Sequence, residues 1–300
     1  MGLVSHITHL LRGDTGYRRS GVHEDLLTSL LVMAWMVEAR DPYTGGHLWR
    51  VSRFSHLLAT ALELPPADTA RIALGGFLHD LGKISVPDHI LRKKERLTSE
   101  EYSVIKTHPE VGWRMLAGHP LAGMVEAAVR AHHETPDGKG YPRGLSGDAV
   151  PIDARIVGIC DAFDAMTSTR PYRRGMPVAQ ALQIIEQNLG RQFDTACGER
   201  FIALGRSGQL DHIVGHSDEG IPLRSCLACG PILVVQRSSK AGDHLYCPSC
   251  TGEYALEPSA GLLNAVATGQ QGSAEQLEPK VDNELIAQVV RASARALLTA

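Results

Sequence analysis

The chain has 300 residues, 43% hydrophobic and 21% charged, with a formal net charge of −3 and 14 histidines left uncounted. That is enough chain for one large domain or two with a substantial core, and it excludes fibrous and disordered classes. The slightly acidic balance gives no general basic field, so direct nucleic-acid binding is not expected and an anionic ligand must be met by local basic residues.

Residues 1–22 read as a polar lead-in ending in GDTGYRRSG. From His23 to Ala39 apolar positions crowd together as in a helix buried on most sides. Its core, LLTSLLVMAWMV at 26–37, is shorter than the roughly 20 residues a membrane span needs. No signal-peptide pattern opens the chain, so a cytoplasmic protein without membrane association is expected. DPYTGG at 41–46 breaks this helix, and a second follows from Gly46 to Leu62 with His47 in its first turn. Pro65, Pro66 and Asp68 open a third helix that delivers His79 and Asp80, with Gly82 ending it. Another is expected from Thr98 to Leu116, with Thr98, Ser99 and Glu101 as start signals, His108 in its middle and a kink at Pro109. Leu121 to His133 is helical, and TPDGKGYPRGLSGD at 135–148 is a polar loop too rich in glycine and proline to continue it. Pro151–Met166, Pro177–Leu189 and a segment near Cys197–Leu204 complete an all-α body.

After a linker at 206–221 come CLAC at 226–229 and CPSC at 247–250, with 17 residues between the pairs. Four thiolates at that spacing, Cys226, Cys229, Cys247 and Cys250, suit one structural zinc in a ribbon over 222–255, with PILVVQ as a short strand. No strand alternation is expected before about residue 222. Residues 256–300 read as a flexible linker and a C-terminal helix, Asn283 to Leu298, that packs on a partner or on its own domain. Cys160 and Cys197 read as small buried residues.

FLHDLGKI at 77–84 is the centre of the chain's chemistry. Imidazole nitrogen and carboxylate oxygen suit iron, manganese or zinc, but neighbouring helical residues point to different sides, so His79 and Asp80 need ligands from elsewhere. His47, His108, the tandem His132 and His133, and Asp161 lie on or beside other expected helices, as in a bundle that builds an interior metal site. With seven N/O side chains, two ions bridged by Asp80 are the natural count. His56, His89, His119, His212, His216 and His244 have no motif around them and read as ordinary histidines.

HDLGK at 79–83, HHETPDGKGYP at 132–142, DPYTGGH at 41–47 and DAFDAMTSTRPYR at 161–173 together resemble the HD-GYP subgroup of the HD phosphohydrolase superfamily, over roughly residues 23–205. The resemblance implies an HD-type helical bundle that hydrolyses cyclic di-GMP to pGpG, and further to GMP in some members, at a centre of two or three iron or manganese ions. It places the metal ligands on His47, His79, Asp80, His108, His132, His133 and Asp161, with His79, Asp80, Lys83 and Asp161 as the catalytic set. Lys83 matches the phosphate-facing lysine, Gly140, Tyr141 and Pro142 the motif loop, and Arg170 and Arg173 the basic residues near the guanine end. Members with three metals carry a carboxylate one helical turn before the first histidine, where this chain has Tyr43, which implies two metals. Tyr141 is a candidate stacking or hydrogen-bonding residue. A protein partner would meet the loop, the ribbon or the C-terminal helix. Two alternatives stand beside the enzyme: a cyclic di-GMP sensor or scaffold signalling through the ribbon, and a phosphohydrolase acting on another nucleotide.

Overall fold

Prolines and capping residues set where most of the helices begin. The computed structural model describes residues 17–41, 43–170 and 173–298. Helix α1 spans Tyr17–Glu38, so it starts inside the expected lead-in, of which residues 1–16 lie outside the described ones. Helix α2 is His47–Ala61 and α3 is Pro66–Leu78. Pro66 presets φ in the first turn of α3, and Asp68 there meets the positive end of the helix dipole.

Helix α3 ends at Leu78, before Gly82, and a 3-10 turn follows at Leu81–Ser85. Gly82 has a different task from the expected one. A side chain there would collide with the His108 carbonyl, so glycine lets this turn lie directly against the next ligand segment. A short α4, Asp88–Leu91, precedes α5, Ser99–Ile105, which has the capping box of Thr98 and Glu101. The single helix expected over 98–116 is two, because the chain breaks at 106–107 and restarts as α6, His108–Leu116. Pro109 lies in the first turn of α6, where its missing N–H costs nothing, so it opens a helix and does not kink one.

Helices α7 (Ala122–Ala131), α8 (Ile152–Thr167), α9 (Val178–Gln187) and α10 (Thr195–Arg206) close the body. Two apolar clusters hold it. One joins α2, α8, α9 and α10 around Phe54, Phe163 and Phe201, whose rings meet edge to face with centroids 5.0–6.2 Å apart. The other joins α1, α3 and α7 to α11, Asn283–Leu298, whose Ile286 and Val290 pack with Leu30, Leu31 and Phe77. The C-terminal helix therefore docks on its own domain. No helix among the described residues is long and apolar enough to cross a membrane.

The remainder departs from the expected all-α chain with a small ribbon. Strands β1 (His216–Asp218) and β2 (Ile221–Pro222) pair inside the supposed linker. Strand β3 (Arg224–Cys226) pairs with β4 (Gly230–Leu233), and β5 (His244–Tyr246), β6 (Gly252–Ser259) and β7 (Leu262–Gln271) form a three-stranded antiparallel sheet. Residues 256–271, expected as flexible linker, are thus part of a long hairpin. Its turn has positive φ at Ala260 (47°) and Gly261 (82°), the handedness that matches strand twist. Small and polar residues hid this strand, although Leu263 and Ala265 alternate with more exposed neighbours.

Candidate metal centre

The ligand segments meet where several helices end or begin. His47 opens α2, His108 opens α6, His79 and His132 terminate α3 and α7, and Asp161 lies within α8. Helix ends leave backbone carbonyls free, and the imidazoles use them. His79 Nδ1 donates to the Gly76 carbonyl at 2.8 Å, His108 Nδ1 to Ile105 at 2.8 Å, and His132 Nδ1 to Ala128 at 2.9 Å. His47 Nδ1 donates to Asp164 Oδ2 at 2.8 Å. These bonds assign the Nδ1–H tautomer and leave each Nε2 as a lone pair aimed inward.

Those lone pairs converge. His47, His79 and Asp80 form one group and His108, His132 and His133 another, the ligand atoms of each lying within 4.8 Å of one another. Asp80 stands between them. Its Oδ1 is 3.4 Å from His108 Nε2, while Oδ2 is 3.4 Å from His79 Nε2 and 3.6 Å from His47 Nε2. Asp161 Oδ1 faces His47 and His79 at 3.5 and 3.8 Å.

The donor set fits transition-metal ions. His79 Nε2 is buried and has no hydrogen-bond partner, an arrangement that costs free energy unless a cation takes the lone pair. His108 and His132 turn Nε2 toward Nε2 at 3.1 Å, so two acceptors confront each other and need a positive centre between them. A carboxylate with one oxygen toward each histidine group could serve ions held by both.

Charge in this centre is sharply divided. Burial opposes ionisation of Asp80, yet Lys83 and His79 hold it well below the usual carboxylate range. Burial likewise opposes the charge on Asp161, which His79 keeps ionised. Burial disfavours protonation of His79, but Asp80 and Asp161 prevail and raise it to about 10, so a proton competes with a metal ion for its Nε2 lone pair. Burial pushes His108 down to about 3 and His133 to about 4, so these imidazoles stay neutral and free to ligate.

Lys83 is tied to the centre, its Nζ donating to Asp80 Oδ2 at 2.5 Å. Arg170 lies beside the centre, 3.9 Å from Asp41. Arg173 is placed differently. Its guanidinium donates to the Met166 and Ala165 carbonyls at 2.8 and 2.5 Å, capping the C-terminal turn of α8 instead of projecting to a ligand. The motif loop folds back on the ligands. A side chain at Gly140 would collide with the His133 carbonyl, and the Tyr141 ring stacks on His133 with centroids 4.7 Å apart. Pro142 follows through a cis peptide bond. Glu134 accepts the amides of Arg143 and Leu145 at 2.7 and 2.8 Å, which pins the loop.

Sequence reading missed the support of His47. Asp164 is buried and also accepts Arg50 Nε at 2.5 Å, while Arg50 Nη1 donates to the carbonyls of Gly45 and His216. The available signal was spacing: Arg50 follows His47 by one turn, and Asp164 follows Asp161 by one turn. A cleft of about 830 Å³ opens beside the centre, with Asp41, Lys83, Arg92, Arg96, Tyr102 and Arg170 in its lining.

The four cysteine thiols also gather within 4.8 Å of one another. Cys226 Sγ is 3.4 Å from Cys250 Sγ and accepts the Tyr254 hydroxyl at 3.1 Å. Burial opposes its ionisation, but that hydroxyl and nearby backbone amides lower it to about 7. Cys160 and Cys197 are buried, as expected.

A family profile described as HD domain matches residues 31–197. The chain is similar to the cyclic di-GMP phosphodiesterase response regulator RpfG of Xanthomonas campestris, 39% identical over 196 residues, which cover 65% of this chain and 51% of that protein. It is 36% identical over 189 residues to 3'3'-cGAMP-specific phosphodiesterase 3 of Vibrio cholerae, covering 62% of this chain and 40% of that one. It is 36% identical over 185 residues to a cyclic di-GMP phosphodiesterase of Thermotoga maritima, covering 61% and 50%. The chain thus spans about half the length of the relatives it matches.

Proposed function

The chain belongs to the HD-domain family, and from that membership we propose that it is a metal-dependent phosphodiesterase that hydrolyses cyclic di-GMP to pGpG. The observation that carries this reading is Asp80, with one oxygen toward each of two histidine groups and bonded to Lys83, which lines the open cleft. His47, His79, Asp80, His108, His132, His133 and Asp161 would hold two iron or manganese ions, and the four ribbon cysteines one zinc. When bound, the two ions supply Lewis-acid activation of water and neutralise charge on the phosphodiester.

The chain's own residues do the rest. Asp161, facing His47 and His79, orients the attacking water. Lys83, anchored to Asp80, opposes negative charge gathering on the phosphoryl oxygen. Arg170 offers a planar fork to phosphate or to a guanine edge. Tyr141 and Glu134 hold His133 and the motif loop in place, and further hydrolysis to GMP would use the same groups.

A second substrate has specific support: 3'3'-cGAMP, on which a relative 36% identical to this chain acts by its name. The two dinucleotides differ at one base, and the cleft is open enough to meet either. The test is turnover of both by iron- or manganese-loaded protein. Release of pGpG supports the first reading, and preferential opening of 3'3'-cGAMP supports the second. Tight binding of cyclic di-GMP without product would move the chain to the sensor reading.

A further inference from the structure

Tyr43 joins the cysteine cluster to the loop that delivers His47. Its side chain leaves the histidine centre and is buried with Cys226, Ile232, Leu233, Cys247 and Tyr254, the small apolar core of the ribbon. Its hydroxyl hydrogen-bonds Ser249, which lies between Cys247 and Cys250 in CPSC. The Tyr43 amide donates to Asp41 Oδ1 at 3.1 Å, and Asp41 faces Arg170 in the cleft. A second tie crosses at Arg92, whose Nη2 reaches the Pro248 carbonyl at 3.4 Å. Arg50 makes a third, bonding Gly45 in this loop and His216 in β1 while it holds Asp164. Tyr43 and Arg92 both line the cleft. One wall of the cleft therefore rests on the CPSC turn.

We propose that Tyr43 is a positioning residue through which the metal-bound ribbon fixes residues 43–46, so that metal on the thiols and ligand in the cleft favour each other. The physical basis is shared ordering. The CPSC turn keeps its shape only while its thiolates are held, and the Tyr43 ring is buried against Cys247 of that turn. Coupling of this kind is reciprocal: what the ribbon gives to cleft binding, cleft binding returns to the ribbon. The statement about ligand affinity rests on the phosphodiesterase reading, whereas that about loop order does not.

The test uses the full chain and two readouts. Amide hydrogen exchange over residues 43–50 is compared between wild type, Tyr43→Ala, Tyr43→Phe, Ser249→Ala and Cys226→Ser with Cys229→Ser. Exchange should rise at least about tenfold in Tyr43→Ala and in the cysteine variant, with α3 and α8 unchanged. Ser249→Ala, which keeps all four thiols, and Tyr43→Phe, which keeps the ring, should each rise only about fivefold, the worth of one hydrogen bond. KM for cyclic di-GMP should rise about tenfold in Tyr43→Ala and in the cysteine variant, with kcat nearly constant and no further rise when the two are combined. Unchanged exchange in the cysteine variant, additive rises in KM, or wild-type thiols that hold no metal would overturn the proposal. A responsive loop in a chain that hydrolyses no cyclic dinucleotide would support the coupling while refuting the proposed function.

Discussion

In the helical body the candidate ligands come from segments as distant in sequence as His47 and Asp161, whereas the ribbon draws its four thiols from two short turns, 226–229 and 247–250. The histidine centre is embedded in apolar clusters that persist whatever it binds, with Phe77, Leu78 and Leu81 buried around the His79–Asp80 segment. The ribbon's core is a handful of residues, two of them its own cysteines. Metal should therefore be a passenger in the first cluster's fold and a structural necessity in the second's.

The largest effect is expected at the bridge. Asp80→Ala should cost both active-site ions and lower turnover at least about a thousandfold, with helical circular dichroism retained. Full metal content by elemental analysis would show that Asp80 is not the shared ligand. The opposite behaviour is expected of Cys226→Ser with Cys229→Ser. Zinc should fall from about one per chain to none, and exchange protection should vanish over 224–271 while α3 and α8 keep theirs. Collapse of the helical signal in that variant would erase the contrast between the two clusters.

Asp164→Asn is a finer probe, since it keeps an acceptor for His47 but leaves the buried Arg50 uncompensated. Metal affinity at the histidine centre should fall about 10- to 100-fold, read by competition with a chromophoric chelator, with the ribbon zinc unaffected. The smallest effect is expected at Glu38, which accepts the Leu48 amide at 3.1 Å and is pushed by burial from 4.5 to about 7. A carboxyl raised in the folded state adds stability below its unfolded value, and that contribution is lost as pH rises through the folded value. Glu38→Gln should thus match wild type near pH 4 and exceed it by about 2 kcal/mol at pH 8 in denaturant melts. Equal stabilities at both pH values would show that this carboxyl stays solvated.

The sequence by itself determined where most of the helices lie, though not the break at 106–107, because proline, capping residues and apolar spacing act within a few residues, as the Thr98–Glu101 box and Pro66 show. It also determined the ligand types, since four thiols in two turns and a histidine–aspartate pair carry their chemistry wherever they fold. Tertiary structure alone decided what each group faces. Nothing local tells that Arg173 spends its guanidinium on helix carbonyls, that Asp164 orients His47, or that Gly82 serves the approach of His108. Tyr43 is the sharpest case. Its identity marks a missing carboxylate, but only packing across some 200 residues of chain, against Cys247 and Ser249, shows what took that place. Side-chain partners are set by the relative placement of elements distant in sequence, and no pattern confined to one helix or turn encodes that placement.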